Sequence, residues 1–254
     1  MKIEAEFVHY TPSKKDSGEP QAEFIHPIRR KEDIGAPRID VMDSKVLWKH
    51  ELLVTARFNE ITADALGFDL DRVQLVAKMP ACSDFFVVAS DKGTPLAIGG
   101  YSFDKLEGMG IVLNEDTKMV RKMAQGRRLS GRITQAAIEH TGAQFLTFHT
   151  QNPAEIASVS DSLEKGSIAP IDFDYASNGE FNTYLKIVRE RFGFSVSSSG
   201  LARVCYGQKL GDYKLRKDDP KIAKINKRML QLGLQRDRGD ALLVIGKVAR
   251  ENAS

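Results

Sequence analysis

Two cysteines, Cys82 and Cys205, and one tryptophan are all that 254 residues hold of those types. Two thiols placed this far apart read as buried or incidental thiols ahead of a single disulfide, so a reducing compartment is favoured; the cytoplasm is the expected location. The sequence also lacks any run near the ~20 apolar residues that span a bilayer. Its first twenty residues are polar and carry no apolar signal-peptide core. The five histidines are scattered, and no Cys/His spacing suits zinc, so no metal is expected. No Ser-His-Asp arrangement follows from spacing. Excess of one sign of charge is small too: the net charge of +3 is too mild to mark a nucleic-acid binder by itself.

What is present is ordinary globular composition, 42% hydrophobic and 28% charged, enough for one large core with an appendage. Residues 1–20 read as an arm that alternates briefly and then becomes loop. Phe24–Arg30 reads as a strand. Val46, Leu47, Leu52, Leu53 and Phe58 recur at helical spacing up to Gly67. Phe85–Ala89 and Leu96–Phe103 flank Asp91-Lys92-Gly93-Thr94-Pro95, a hairpin signal. Gly108–Leu113 reads as a short strand, Asn-Glu-Asp-Thr at 114–117 as a turn, and Thr117–Gln125 as an extended segment.

Gly126–Ser130 is a basic, glycine-containing loop. Gly131–Thr141 follows as a helix stopped by Gly142, and Gln144–Thr150 as a strand. Gln151–Gly179 is long and polar, read as an insertion with a helix near Ala154–Leu163. Glu180–Phe192 has helical periodicity. Phe194–Ser198 and Ala202–Gln208 read as strands around a Ser-Ser-Ser-Gly turn. Asp219-Pro220 opens a basic helix that Gly233 closes, and Leu242–Val248 is a last apolar run.

Two landmarks carry a resemblance. Arg128-Leu129-Ser130-Gly131-Arg132-Ile133 has the form [Gln/Arg]-x-x-Gly-x-[Gly/Ala], with Ile133 in place of the small last residue. Asn182-Thr183-Tyr184 opens a helix that runs to Phe192-Gly193-Phe194. With a helix and a strand between them, these landmarks resemble the GNAT superfamily of acyl-coenzyme A-dependent N-acyltransferases over roughly half the chain.

The resemblance implies an α/β (α+β) fold: a mixed, twisted sheet flanked by helices, with an N-terminal helical segment and a C-terminal helix–strand extension. It divides the chain into an arm at 1–20, an acyltransferase domain at 21–212 with the 151–179 insertion, and an extension at 213–254. It implies acetyl-CoA as cofactor and direct attack of an amine on the acetyl carbonyl. The cofactor-binding residues implied are Met119, Arg121, Met123 and Ala124 on the strand that pairs with the pantetheine arm, then Arg127, Arg128, Leu129, Ser130, Gly131, Arg132 and Ile133 around the pyrophosphate, with Asn182 beyond.

The physical need is plain: amides at a helix start point at an anion, the helix dipole favours it, and a glycine lets the main chain come close. For acid–base work the candidates are Glu115, Tyr184 and Tyr206, with Glu107, Asp116 and Tyr101 in reserve. Arg189 stands where many members carry the tyrosine that protonates the leaving thiolate. That departure, with Ile133, motivates a second reading as a binding or structural protein without catalysis. The basic segments motivate a third, action on nucleic acid. The amine acceptor, small molecule or protein, is left open, and no membrane partner is expected.

Overall fold

The computed structural model describes residues 37–47, 51–67, 83–108, 110–192, 196–203, 205 and 219–249. The readings at 1–20 and 24–30, most of the strand reading at 202–208, and Tyr206 lie outside the described residues. The strands are β1 (Arg38–Asp43), β2 (Phe85–Asp91), β3 (Thr94–Leu106), β4 (Gly110–Val120), β5 (Phe145–Thr150), β6 (Leu163–Ala169), β7 (Leu201–Ala202) and β8 (Ala241–Val248). The helices are α1 (Ser44–Leu47), α2 (Glu51–Leu66), α3 (Leu129–Thr141), α4 (Pro153–Val159), α5 (Gly179–Phe192) and α6 (Pro220–Gln231).

Strands are hydrogen-bonded in the order β1-β2-β3-β4-β5-β8-β6, with β7 on β8. β4 and β5 pair in parallel, whereas β1–β2, β2–β3, β5–β8, β6–β8 and β7–β8 are antiparallel. The mixed sheet expected from the sequence is therefore present, and the fold is α+β.

Contacts divide the chain into two compact units, the first ending at Ser102 and resuming over Asp116–His140, the second comprising Phe103–Glu115 and the chain from Thr141. In the first unit, β2 and β3 form the expected hairpin. Lys92 (φ 47°) and Gly93 (φ 84°) both turn left-handed, the backbone that matches strand twist in a two-residue loop. One sheet face carries Phe86, Val88 and Ile98 against Phe58 and Ile61 of α2, with Met42 and Met119 packed alongside. On the other face Tyr101 meets Thr134 of α3, and Phe85 lies edge-on to His140.

In the second unit, Val112, Phe145, Leu243 and Ile245 of the strands pack with Phe181, Tyr184 and Leu185 of α5. β8 is the centre of this sheet, with Gly246 opposite both Leu146 and Ile168. Gly246 is glycine for a packing reason, since a Cβ there would sit 2.4 Å from a methyl of Leu163. α6 begins as its sequence indicates: Asp219 accepts from the amides of Lys221 and Ile222 at 2.9 and 3.2 Å, and Ile222, Ile225 and Met229 form its buried stripe.

Some elements differ from expectation. Residues 114–117 lie inside β4 and are not a turn. The helix expected over Ala154–Leu163 is α4 followed by a 3₁₀ turn at Ser160–Ser162. The polar 151–179 stretch also supplies β6, a strand of the sheet.

Candidate functional site

The extended segment expected through Gln125 ends at Val120, because Lys122–Ala124 coil into a 3₁₀ turn. The amides of Ala124 and Gln125 both turn back to the carbonyl of Arg121 at 2.9 and 3.1 Å. Met123 and Ala124 therefore offer no strand edge, which corrects the pairing expected for the C-terminal part of Met119–Ala124. Within the same unit, Met119 packs into the core beneath α2. Arg121 is held by structure: its Nε donates to the Pro95 carbonyl at 2.9 Å and its guanidinium stands 3.9 Å from Glu60. Met123 is 67% exposed, whereas Ala124 is buried.

Beyond this turn the chain reverses through Gly126 (φ 85°) and Arg128 (φ 58°), and α3 begins at Leu129. A left-handed arginine is strained relative to glycine. The amide of Arg132 closes onto the carbonyl of Arg128 at 3.2 Å, so the amides of Leu129, Ser130 and Gly131 belong to the turn whose donors point out of a helix start. Leu129 and Ile133 anchor that turn, both buried. The Ile133 side chain, in place of the small residue of the sequence pattern, is fully buried.

Arg127 and Arg128 are exposed, and Ser130, Gly131 and Arg132 are half-buried. The first turn holds no acidic residue. Lys118 adds a further cation, its ammonium donating to Thr134 Oγ1 at 3.2 Å. Positive side chains thus gather at the positive end of a helix dipole, an arrangement relieved by an anion.

Glu115 and Tyr184 belong to the second unit. Glu115 is buried and pairs with Phe148 at the last rung of the parallel β4–β5 ladder. Tyr184 is 1% exposed. Its hydroxyl donates to Asn114 Oδ1 at 2.7 Å, and Asn114 Nδ2 donates to Asp104 Oδ2 at 2.9 Å. Because side chains alternate along a strand, Glu115 points to the face opposite Asn114, and Glu115 and Tyr184 are not brought together. Asn182 is half-buried in the first turns of α5, its amide bonded to the Asn178 carbonyl at 2.9 Å. Glu107 is exposed after β3. Asp116, in the first unit, accepts from Ser83 and Ser102 at 2.9 and 3.0 Å and ties strands together.

Sequence reasoning missed Asn114, Asp104 and Thr134. Only strand register and helix packing connect them to their partners. Among the described residues no group of three or more His, Cys, Asp or Glu could hold a metal ion, and no helix is long and apolar enough to cross a membrane.

No protein-family profile matches the chain, and no curated protein matches it. Solved structures similar to it include a GNAT-family acetyltransferase from Streptococcus pneumoniae, at 13% identity over 83% of this chain and 99% of that one, with a TM-score of 0.36. Another is the ribosomal-protein-S18-alanine N-acetyltransferase from Escherichia coli, at 11% identity over 85% and 99%, TM-score 0.37. A third is a GNAT-family acetyltransferase from Brucella melitensis in complex with acetyl-CoA, at 15% identity over 43% and 74%, TM-score 0.32. The functional reading rests on this chain's own geometry.

Proposed function

We propose that this chain is an N-acyltransferase of the GNAT type, binding acetyl-CoA at the start of α3 and transferring the acetyl group to an amine. The observation that carries the reading is the reversal at Gly126 and Arg128 into a helix whose first turn has three arginines about it and no carboxylate. The residues fit a diphosphate: backbone amides of residues 129–131 supply donors, and Arg127, Arg128 and Arg132 supply charge-assisted hydrogen bonds.

Acetyl-CoA would supply the thioester carbonyl that an amine attacks. The amine must be neutral, and Glu115 is the carboxylate assigned to take its proton. Tyr184 is assigned to hold α5 to β4, since its proton is directed to Asn114.

Isothermal titration with acetyl-CoA tests the first half. The expected result is saturable binding that weakens about 10- to 100-fold in Arg128→Ala, the loss of one charge-assisted contact of about 1.5–3 kcal/mol. No heat at high micromolar acetyl-CoA would sink the proposal.

The engagement of the Tyr184 hydroxyl favours one alternative, a cofactor-binding protein without transfer. Thermal stabilisation by acetyl-CoA, about 2.7 kcal/mol at 100 times its dissociation constant, with no thiol released in the presence of an amine panel, would select it. A nucleic-acid role has less support, because Lys221 and Arg228 on α6 pair with Asp161 and Asp174 at 3.0 and 2.6 Å.

A further inference from the structure

Among the described residues of the first unit, four side-chain oxygens are sealed from solvent without a hydrogen-bond partner: Asp40 Oδ2, Asn59 Oδ1, Thr62 Oγ1 and Ser90 Oγ. Their residues are 6%, 8%, 0% and 3% exposed, respectively. A buried oxygen left unpaired costs about what a hydrogen bond is worth, and four would remove much of a domain's net stability.

The four belong to one layer. Register places Arg38 opposite Ser90, Asp40 opposite Val88 and Met42 opposite Phe86, so Asp40 and Ser90 are diagonal neighbours on the face that carries Val88 and Phe86. That face is covered by α2 through Phe58 and Ile61. Asn59 and Thr62 are three residues apart and share one flank of α2. The other flank faces the end of β4, where Asp64 accepts from the Lys122 amide at 2.8 Å and Glu60 stands 3.9 Å from Arg121. The flank bearing Asn59 and Thr62 is therefore turned towards β2 and β1, where Asp40 and Ser90 are.

The chemistry of the set selects the occupant. Asp40 Oδ2 and Asn59 Oδ1 only accept, whereas the two hydroxyls both donate and accept. A tetrahedral water offers two protons to the first pair and two lone pairs to the second. A cation would satisfy the oxygens but leave both hydroxyl protons to find acceptors. Asp40 also has its counter-charge already, since Arg38 Nε donates to its Oδ1 at 2.6 Å. We propose that ordered water is bound in this layer, bridging Asp40 and Ser90 of the sheet to Asn59 and Thr62 of α2 as a fixed part of the fold. This site is independent of the acetyl-CoA reading.

Thr62→Val and Ser90→Ala, singly and together, test it by urea unfolding of the full chain. If water is held there, each substitution removes a hydrogen bond and lowers the midpoint, and the double variant loses less than the two single losses combined. A dry layer gives the opposite sign: removing an unpaired hydroxyl raises the midpoint, and the proposal is overturned. A crystal structure provides the second readout, independent of whether the variants fold. Spherical density within hydrogen-bond distance of at least three of the four oxygens is expected, and its absence rejects the site. A midpoint that rises with KCl or CaCl₂ but not with choline chloride replaces water by a cation.

Discussion

Tyr184 and Asn114 show how one pair of residues changes the reading of a sequence. By sequence Tyr184 is a candidate for acid–base work, placed in the first turns of a landmark helix. Its hydroxyl donates instead to Asn114, itself buried, and Asp104 fixes the amide that receives it. Removing the hydroxyl leaves Asn114 Oδ1 buried without that donor. Tyr184→Phe is therefore expected to lower stability by about 1–3 kcal/mol with unchanged affinity for acetyl-CoA. Urea unfolding with parallel titration measures both; a variant of full stability with lost transfer activity would return Tyr184 to the acid role. Nothing in the sequence announces Asn114, since an Asn in Asn-Glu-Asp-Thr reads as turn chemistry. The tertiary context of a central strand overrides that local preference.

Elements with strong punctuation are the ones legible from the chain. Asp219-Pro220 and Gly233 bracket α6, and the structure begins and ends the helix within a residue or two of them. Asp219 caps two amides, so Asp219→Ala should cost about 1 kcal/mol, measured as a shift in the unfolding midpoint; no shift would mean α6 is held by its buried stripe alone. The Asp91–Pro95 hairpin was equally legible, through Lys92-Gly93. The geometry of the candidate loop at 121–131 was only partly so. Gly126 marks a reversal, but the 3₁₀ turn at Lys122–Ala124 has no sequence signal of its own and depends on Asp64 receiving the Lys122 amide. β6 was hidden inside a polar stretch, because Glu164, Lys165 and Gly166 interrupt its apolar pattern.

For the whole molecule, pH is the variable that two histidines make testable. Burial pushes the His149 imidazole from 6.5 down to about 4, and burial lowers His140 as well. His149 still shows some surface to solvent, although its Nε2 is sealed. With folded pKa values below the unfolded ones, the unfolded chain binds the protons first. The contribution is fully present above pH 6.5 and is lost as the pH falls towards 4. For His149 the loss is at most about 3 kcal/mol, less where solvent reaches the ring. Urea midpoints between pH 7.5 and 4.5 should fall less steeply in His149→Gln; an unchanged slope would remove His149 as the cause.

The placement of β8 has a consequence for how this chain comes into being. β5 and β6 are not neighbours; each bonds to β8, the last strand in chain order among the described residues. During synthesis at about 5–20 residues per second, both strands would leave the ribosome seconds before the segment that joins them. Over that interval the edges of β5 and β6 that β8 covers have no native mate, so this part of the sheet is completed only after residues 241–248 are made.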